Sequence, residues 1–276
     1  MGAALGLSDF LLPHDVYGSQ YAAGLDLDPS NRFSQKLYIA YDARQQRELI
    51  FGESLSSTFR ASAPPRNSAM GLGHGSPNIA PFSNAIAIPP LPLSGIAVCV
   101  PVCWAGSGNL ILCQIGTGGV NGFWFAINST QKIDLVHFGV AVYTSDGQPW
   151  DGTNFYPRVL GFTDDGTTLT FYLDGKQFGT TRAVGSFVAS GTNAPVIFQA
   201  GGGDNPNSWN SLSLLWKRAL SPAEHADIAQ NPWQVFKPKL SGIFPSVVAS
   251  VIPTLSIPQA IVIGQTTAQP QVTLTF

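Results

Sequence analysis

Apolar residues recur at every second position through much of the middle of the chain, the period of a strand with one buried face. Ile96, Val98, Val100 and Val102 alternate with Ala97, Cys99 and Cys103. Pro101 inside that run predicts an edge or a bulge, because proline cannot donate to a ladder. Gly106-Ser107-Gly108 turns the chain into a strand at 110–115, and 116–122 turns it again into the aromatic strand Phe123-Trp124-Phe125-Ala126-Ile127. Val136, Phe138, Val140 and Val142 form the next alternating set. Farther on, Leu169, Phe171 and Leu173 face one way and Thr168, Thr170 and Tyr172 the other. Asp174-Gly175 then offers the two positive-φ positions of a type I′ hairpin turn, and Asp165-Gly166 has the same turn chemistry. Strands at 196–200 and 212–216 complete the set, separated by a glycine-rich loop at 201–207.

One helix breaks this rhythm. In Ser221-Pro222-Ala223-Glu224 the Ser hydroxyl can accept from a free backbone N–H while Glu224 reaches back to the cap, and proline occupies the first helical position. The helix is expected to stop before Asn231-Pro232, since a residue preceding proline is pushed out of the α region. Many short strands with a single helix predict an all-β fold, a two-sheet antiparallel sandwich or jelly roll, and exclude a parallel α/β sheet.

Composition adds a constraint. The 276 residues are 44% hydrophobic and only 11% charged, against roughly 25% charged in an ordinary globular chain. A net charge of −2 with scattered basic residues leaves no footprint for nucleic acid or anionic lipid. No apolar run reaches the roughly 18 residues of a membrane span. The apolar start is interrupted by Asp9 with no basic residue before it, so no signal peptide is expected. Cys99, Cys103 and Cys113 read as small buried thiols. Cys99 and Cys103 lie too far apart along one strand to pair, whereas a bridge between Cys99 and Cys113 across a hairpin is geometrically possible.

Candidate chemistry is sparse. Glycoside hydrolysis on a sandwich needs two carboxyls about 5–5.5 Å or about 6.5–9.5 Å apart, so acids should alternate along one strand. Glu48, Glu53 and Glu224 do not, and Asp164-Asp165 is adjacent rather than alternating. His14, His74, His137 and His225 lie near no nucleophile elbow, and His137 and His225 read as a satisfied face residue and a solvated one. No catalytic residue is therefore expected. Asp204, Asn205 and Asn207 offer oxygen ligands at short spacing, as a calcium site or as an ordinary turn cluster, so calcium is the single candidate ion. Trp150 and Trp209 fall in turn-rich segments, where a ring can serve as a platform for sugar beside Asp151, Asp204 and Asn205. Trp104, Trp124 and Trp216 lie in strands and are expected to be packed.

Two motifs resemble a known family. Leu169 to Gly179, an apolar strand ending in Tyr172-Leu173-Asp174-Gly175, is similar to the hairpin of laminin G-like domains. Arg218-Ala219-Leu220-Ser221 with Glu224 is similar to the helix that closes them. The resemblance covers roughly 31–237 and implies a concanavalin A-like jelly roll. Gln230 to Pro238, with Asn231-Pro232-Trp233-Gln234, resembles the ending of such domains in bacteriophage and prophage structural proteins. That implies a virion protein, assembled in the host cytoplasm, in a capsid decoration or a tail fibre, with further copies and other virion proteins as partners. A carbohydrate-binding adhesin that recognises cell-surface glycan is the alternative.

The organisation expected is an N-terminal arm at 1–30, a sandwich at 31–237 and a strand-rich arm at 238–276. The last segment carries no acidic residue. Its short apolar runs, with Pro253, Ile257, Ile261, Ile263, Val272, Leu274 and Phe276, are read as an assembly arm that lies on neighbouring subunits or folds back on its own domain.

Overall fold

The computed structural model describes residues 25–42, 47–48, 50, 66–68, 71–73, 85–101, 109–117, 121–150, 157–187, 189–193, 199–200 and 208–238. The chain divides into a unit ending at Lys239 and a second unit, Leu240–Phe276. The description concerns the first.

Along the chain the strands begin with β1 (Leu25–Leu27), β2 (Leu37–Asp42), β3 (Arg47–Glu48), β4 (Arg66–Ser68), β5 (Gly71–Gly73) and β6 (Ile86–Ala87). The longer strands β7 (Leu93–Pro101), β8 (Leu110–Thr117), β9 (Asn121–Ile127), β10 (Ile133–His137) and β11 (Ala141–Thr144) follow. Next come β12 (Arg158–Asp164), β13 (Thr168–Leu173), β14 (Lys176–Gln177), β15 (Arg182–Ala183), β16 (Thr192–Asn193) and β17 (Gln199–Ala200). Strand β18 (Ser208–Trp216), helix α1 (Pro222–Gln230) and β19 (Phe236–Pro238) end the series. Two antiparallel sheets dominate: a five-stranded one in the order β11-β10-β9-β8-β17, and an eight-stranded one in the order β14-β13-β12-β7-β18-β2-β3 with β15 beside β13. The fold is an all-β sandwich.

The core lies between the sheets. Ala97, Leu160, Phe162 and Phe171 face Ile115, Phe123, Phe125 and Leu135, all essentially without exposure. Phe162 crosses the gap to Phe125 with ring centroids 5.0 Å apart. Gly95, its neighbour in the ladder, makes room for that ring, because a Cβ there would sit 2.3 Å from it.

The other face of the eight-stranded sheet is also covered. Ile96, Val98, Val159, Leu214 and Trp216 turn away from the core and pack under Leu220, Ile228 and Val235 of the α1 region. Trp216 Nε1 donates to Phe33 O at 2.6 Å, tying the N-terminal segment to this layer.

The local motifs form as their chemistry dictates. Ser221 accepts from Glu224 N and Glu224 accepts from Ser221 N, so the capping box is complete, and α1 ends with Asn231 as its C-cap. Asp174 and Gly175 take φ of 49° and 77° between β13 and β14. At Asp165-Gly166 only the glycine has positive φ (95°). Asp165 instead accepts from Thr167 N and Thr168 N, so that turn is held by its side chain and is not of type I′.

Pro101 sits as expected at a local edge: it is the last residue of β7, beyond the end of the β12 ladder at Cys99, and an irregularity lies close by in β18 between Asn210 and Leu212. Two expectations change. Strands β7 and β8 belong to different sheets, so Cys99 and Cys113 do not face each other across a hairpin, and both are free and buried. Burial pushes the Cys113 thiol up to about 12. The alternating set Val136–Val142 is not one strand. The chain reverses at Gly139 (φ 73°) and divides it into β10 and β11.

Candidate functional site: the open face of the five-stranded sheet

The reversal at Gly139 gathers the apolar positions onto one surface. Across β8, β9, β10 and β11, Gln114 pairs with Trp124, Trp124 with Val136, and Val136 with Val142, a single row on the side away from the core. Phe138, in the turn, meets the Trp124 ring edge-on at 5.7 Å. Trp124, Val136, Phe138, Val140 and Val142 line a shallow trough of about 400 Å³. Val140 is 46% and Val142 60% exposed, large apolar side chains left in water. Trp124, expected to be packed, is only half-buried here. Its Nε1 has no hydrogen-bond partner among the described residues.

Polar groups at the margin are held by their neighbours. Gln114 Nε2 donates to Gly116 O at 3.0 Å. Asp134, on the row next to Trp124, accepts from Asn128 Nδ2 at 2.9 Å. Burial pushes its carboxyl above the usual value, against the hydrogen bonds from Thr144 and Asn128 and the charge of Lys132.

Two histidines are engaged in ways that their local sequence does not reveal. His137 is buried: Nδ1 lies 2.9 Å from Gly185 O, and Nε2 lies 2.9 Å from Oδ2 of the fully buried Asp164. The pair joins β10 of one sheet to β12 of the other, with each partner 1% exposed or less. An acid–base pair so enclosed cannot reach a substrate and acts as a pin between the sheets.

His225, read as solvated, is 1% exposed. Its ring stacks on Tyr172 at 3.7 Å and its Nε2 meets Thr163 Oγ1 at 2.8 Å. Thr163 Oγ1 donates to Leu220 O at 3.1 Å, while Ser94 Oγ, 2.8 Å from it, accepts from Leu220 N. With its own proton given to Leu220, Thr163 accepts from His225, so the ring proton sits on Nε2. Burial drives the imidazole pKa down to about 3; Glu224 opposes this and Arg218 adds to it.

The remaining site expectations divide as follows. Trp150 is 2% exposed and belongs to the core between the sheets, so it is no platform for sugar. Trp209 lies in β18 opposite Val100, in a strand rather than a turn. Asp151, Asp204, Asn205 and Asn207 lie outside the described residues, as do Pro253, Ile257, Ile261, Ile263, Val272, Leu274 and Phe276. Among the described residues no group of three His, Cys, Asp or Glu is placed to hold a metal ion. No described helix is long and apolar enough to cross a membrane. Asp174 and Glu224 are engaged with the cationic side chains of Arg158 and Arg218, and Asp164 lies against the His137 imidazole.

No protein family model and no curated protein matches this sequence. Solved structures do resemble it in fold. The binding domain of botulinum neurotoxin serotype D aligns with a TM-score of 0.54 at 7% identity, over 72% of this chain and 51% of that one. The serotype D ligand binding domain in complex with N-acetylneuraminic acid aligns at 0.51 and 9%, over 71% and 50%. Trypanosoma rangeli sialidase in complex with sialic acid aligns at 0.50 and 9%, over 80% and 38%. The chain therefore spans about half or less of those chains. At such identities the likeness establishes a shared β-sandwich and nothing about its chemistry.

Proposed function

We propose that the protein is a non-catalytic binding module that recognises carbohydrate on the open face of its five-stranded sheet. The observation that carries this reading is Trp124, a half-buried indole in a shallow trough on the outer side of the five-stranded sheet. The face of an indole stacks on the apolar C–H face of a sugar ring. The trough volume lies at the small end of the range for ligand sites. The structures of similar fold include complexes with N-acetylneuraminic acid and sialic acid, which makes acidic sugars the first class to try.

A glycan array probed with the full chain, followed by titration of the best hits, tests the reading. Hits should weaken at least tenfold in Trp124→Ala and persist in Trp209→Ala. Blank arrays, or binding that survives loss of Trp124, would remove it.

A second reading has its own observation. Val140 and Val142 are poor partners for a sugar and good ones for protein, and they lie at the edge of a sheet. They favour a module that assembles with other copies, in the bacteriophage virion that the resemblance at 230–238 implies. Light scattering on the purified chain separates the readings, since carbohydrate binding needs no oligomer.

A further inference from the structure

Strand β11 ends its sheet: among the described residues it pairs with β10 alone. Such an edge presents a row of backbone donors and acceptors ready for another strand. Residues 180–185 run close to it, fastened where Thr180 N donates to Asp146 and Gly185 N donates to Tyr143 Oη, but no strand pairing joins them to β11. The apolar side chains next to this edge are Val140 and Val142.

The far end of the chain has the complementary pattern. Residues 271–276 read Gln-Val-Thr-Leu-Thr-Phe, so a strand there sets Val272, Leu274 and Phe276 on one face and the polar residues on the other. Between 239 and 276 the only charged side chain is Lys239. The trough lining likewise carries no Asp, Glu, Lys or Arg, so the match is apolar to apolar. A strand added beside β11 in the matching phase would lay those three side chains over Val142 and its neighbours.

The described chain stops on the side away from the trough. Phe236 of β19 packs with the cluster on the outer side of the eight-stranded sheet, the layer opposite the trough. From there, residues 239–270 can extend roughly 100 Å at about 3.3 Å per residue, ample for reaching a neighbour whose five-stranded sheet faces the exit point.

We propose that the free edge of β11 and the trough beside it receive residues 271–276 of a second copy of this chain. The inference rests on the assembly reading and goes beyond carbohydrate binding. Donation is head to tail, so copies join into rings or open chains rather than two-fold dimers.

Paired cysteines in the full-length chain test it. Val142→Cys combined with Leu274→Cys, or with Val272→Cys for the other register, should give a ladder of covalent oligomers under mild oxidation. With Cys103→Ser in every variant, each single substitution should give none, because the two remaining native thiols, Cys99 and Cys113, are buried. A cross-linked monomer would show that the chain occupies its own edge and overturn the second copy. No cross-link in either register would overturn the docking site. Val142→Lys should weaken self-association at least tenfold by light scattering without lowering the melting temperature. Oligomers that persist in Val142→Lys would leave the assembly reading standing and remove this interface, whereas a wild-type chain that is monomeric throughout would remove both.

Discussion

His225 is the residue whose role depends most on its surroundings. Its folded pKa of about 3 lies below the usual 6.5. The unfolded chain therefore binds a proton that the folded chain refuses. The resulting stability is fully present above about pH 6.5 and is lost as the pH falls toward 3. Over that window the imidazole accounts for a few kcal/mol, to order of magnitude. Urea melts across the range should give a shallower dependence on pH for His225→Phe than for the wild type. Equal slopes would mean that the imidazole is not the group being titrated. Gly175 shows the same dependence on surroundings: its positive φ is visible as a turn signal, yet a Cβ there would also lie 2.6 Å from Ala226 Cα on α1. Turn and helix thus share one atom-scale constraint.

At the scale of elements, α1 covers the outer face of the eight-stranded sheet, so its cap matters beyond the helix itself. Ser221→Ala removes the acceptor for Glu224 N and should cost about 1 kcal/mol. Chemical denaturation measures this directly, and a loss under a few tenths would show that packing alone holds the helix. This element was fully legible in the sequence, as was the Asp174-Gly175 hairpin, because cap and turn chemistry reside within four consecutive residues. The 136–142 run was read less well. Period-2 alternation cannot register a reversal that keeps the same residues on the same face, and only Gly139 marked it. Trp150 and His225 were misplaced for a related reason. Their burial is decided by packing from distant elements, in the case of His225 by Tyr172 and Thr163, which no local pattern encodes. Strand aromatics are usually packed, and only the sheet order shows that no described strand layer lies on the Trp124 side of the five-stranded sheet.

For the whole molecule, the His137–Asp164 contact is one of the polar links between the two main sheets, beside the bond that Ser213 Oγ donates to Leu112 O at 3.0 Å. Removing one member of a buried hydrogen-bonding pair typically costs about 1–3 kcal/mol, because the survivor keeps its desolvation penalty. Asp164→Ala should fall in that range in a denaturant melt. His137→Ala combined with it should cost little more, since the two groups act as one. Strictly additive losses would mean that each residue serves the fold separately.

Strands β1 and β19 pair antiparallel, Leu25 opposite Pro238, at the edge of the helix-covered layer. The chain thus enters and leaves the sandwich at one point. Tension on the two flanking segments would open that short ladder one rung at a time, as a zipper, instead of shearing it. The strands of the main sheets would bear no load until the last rung had parted. The β1–β19 pair is in this sense a mechanical fuse, placed between whatever pulls on the flanking segments and the two main sheets.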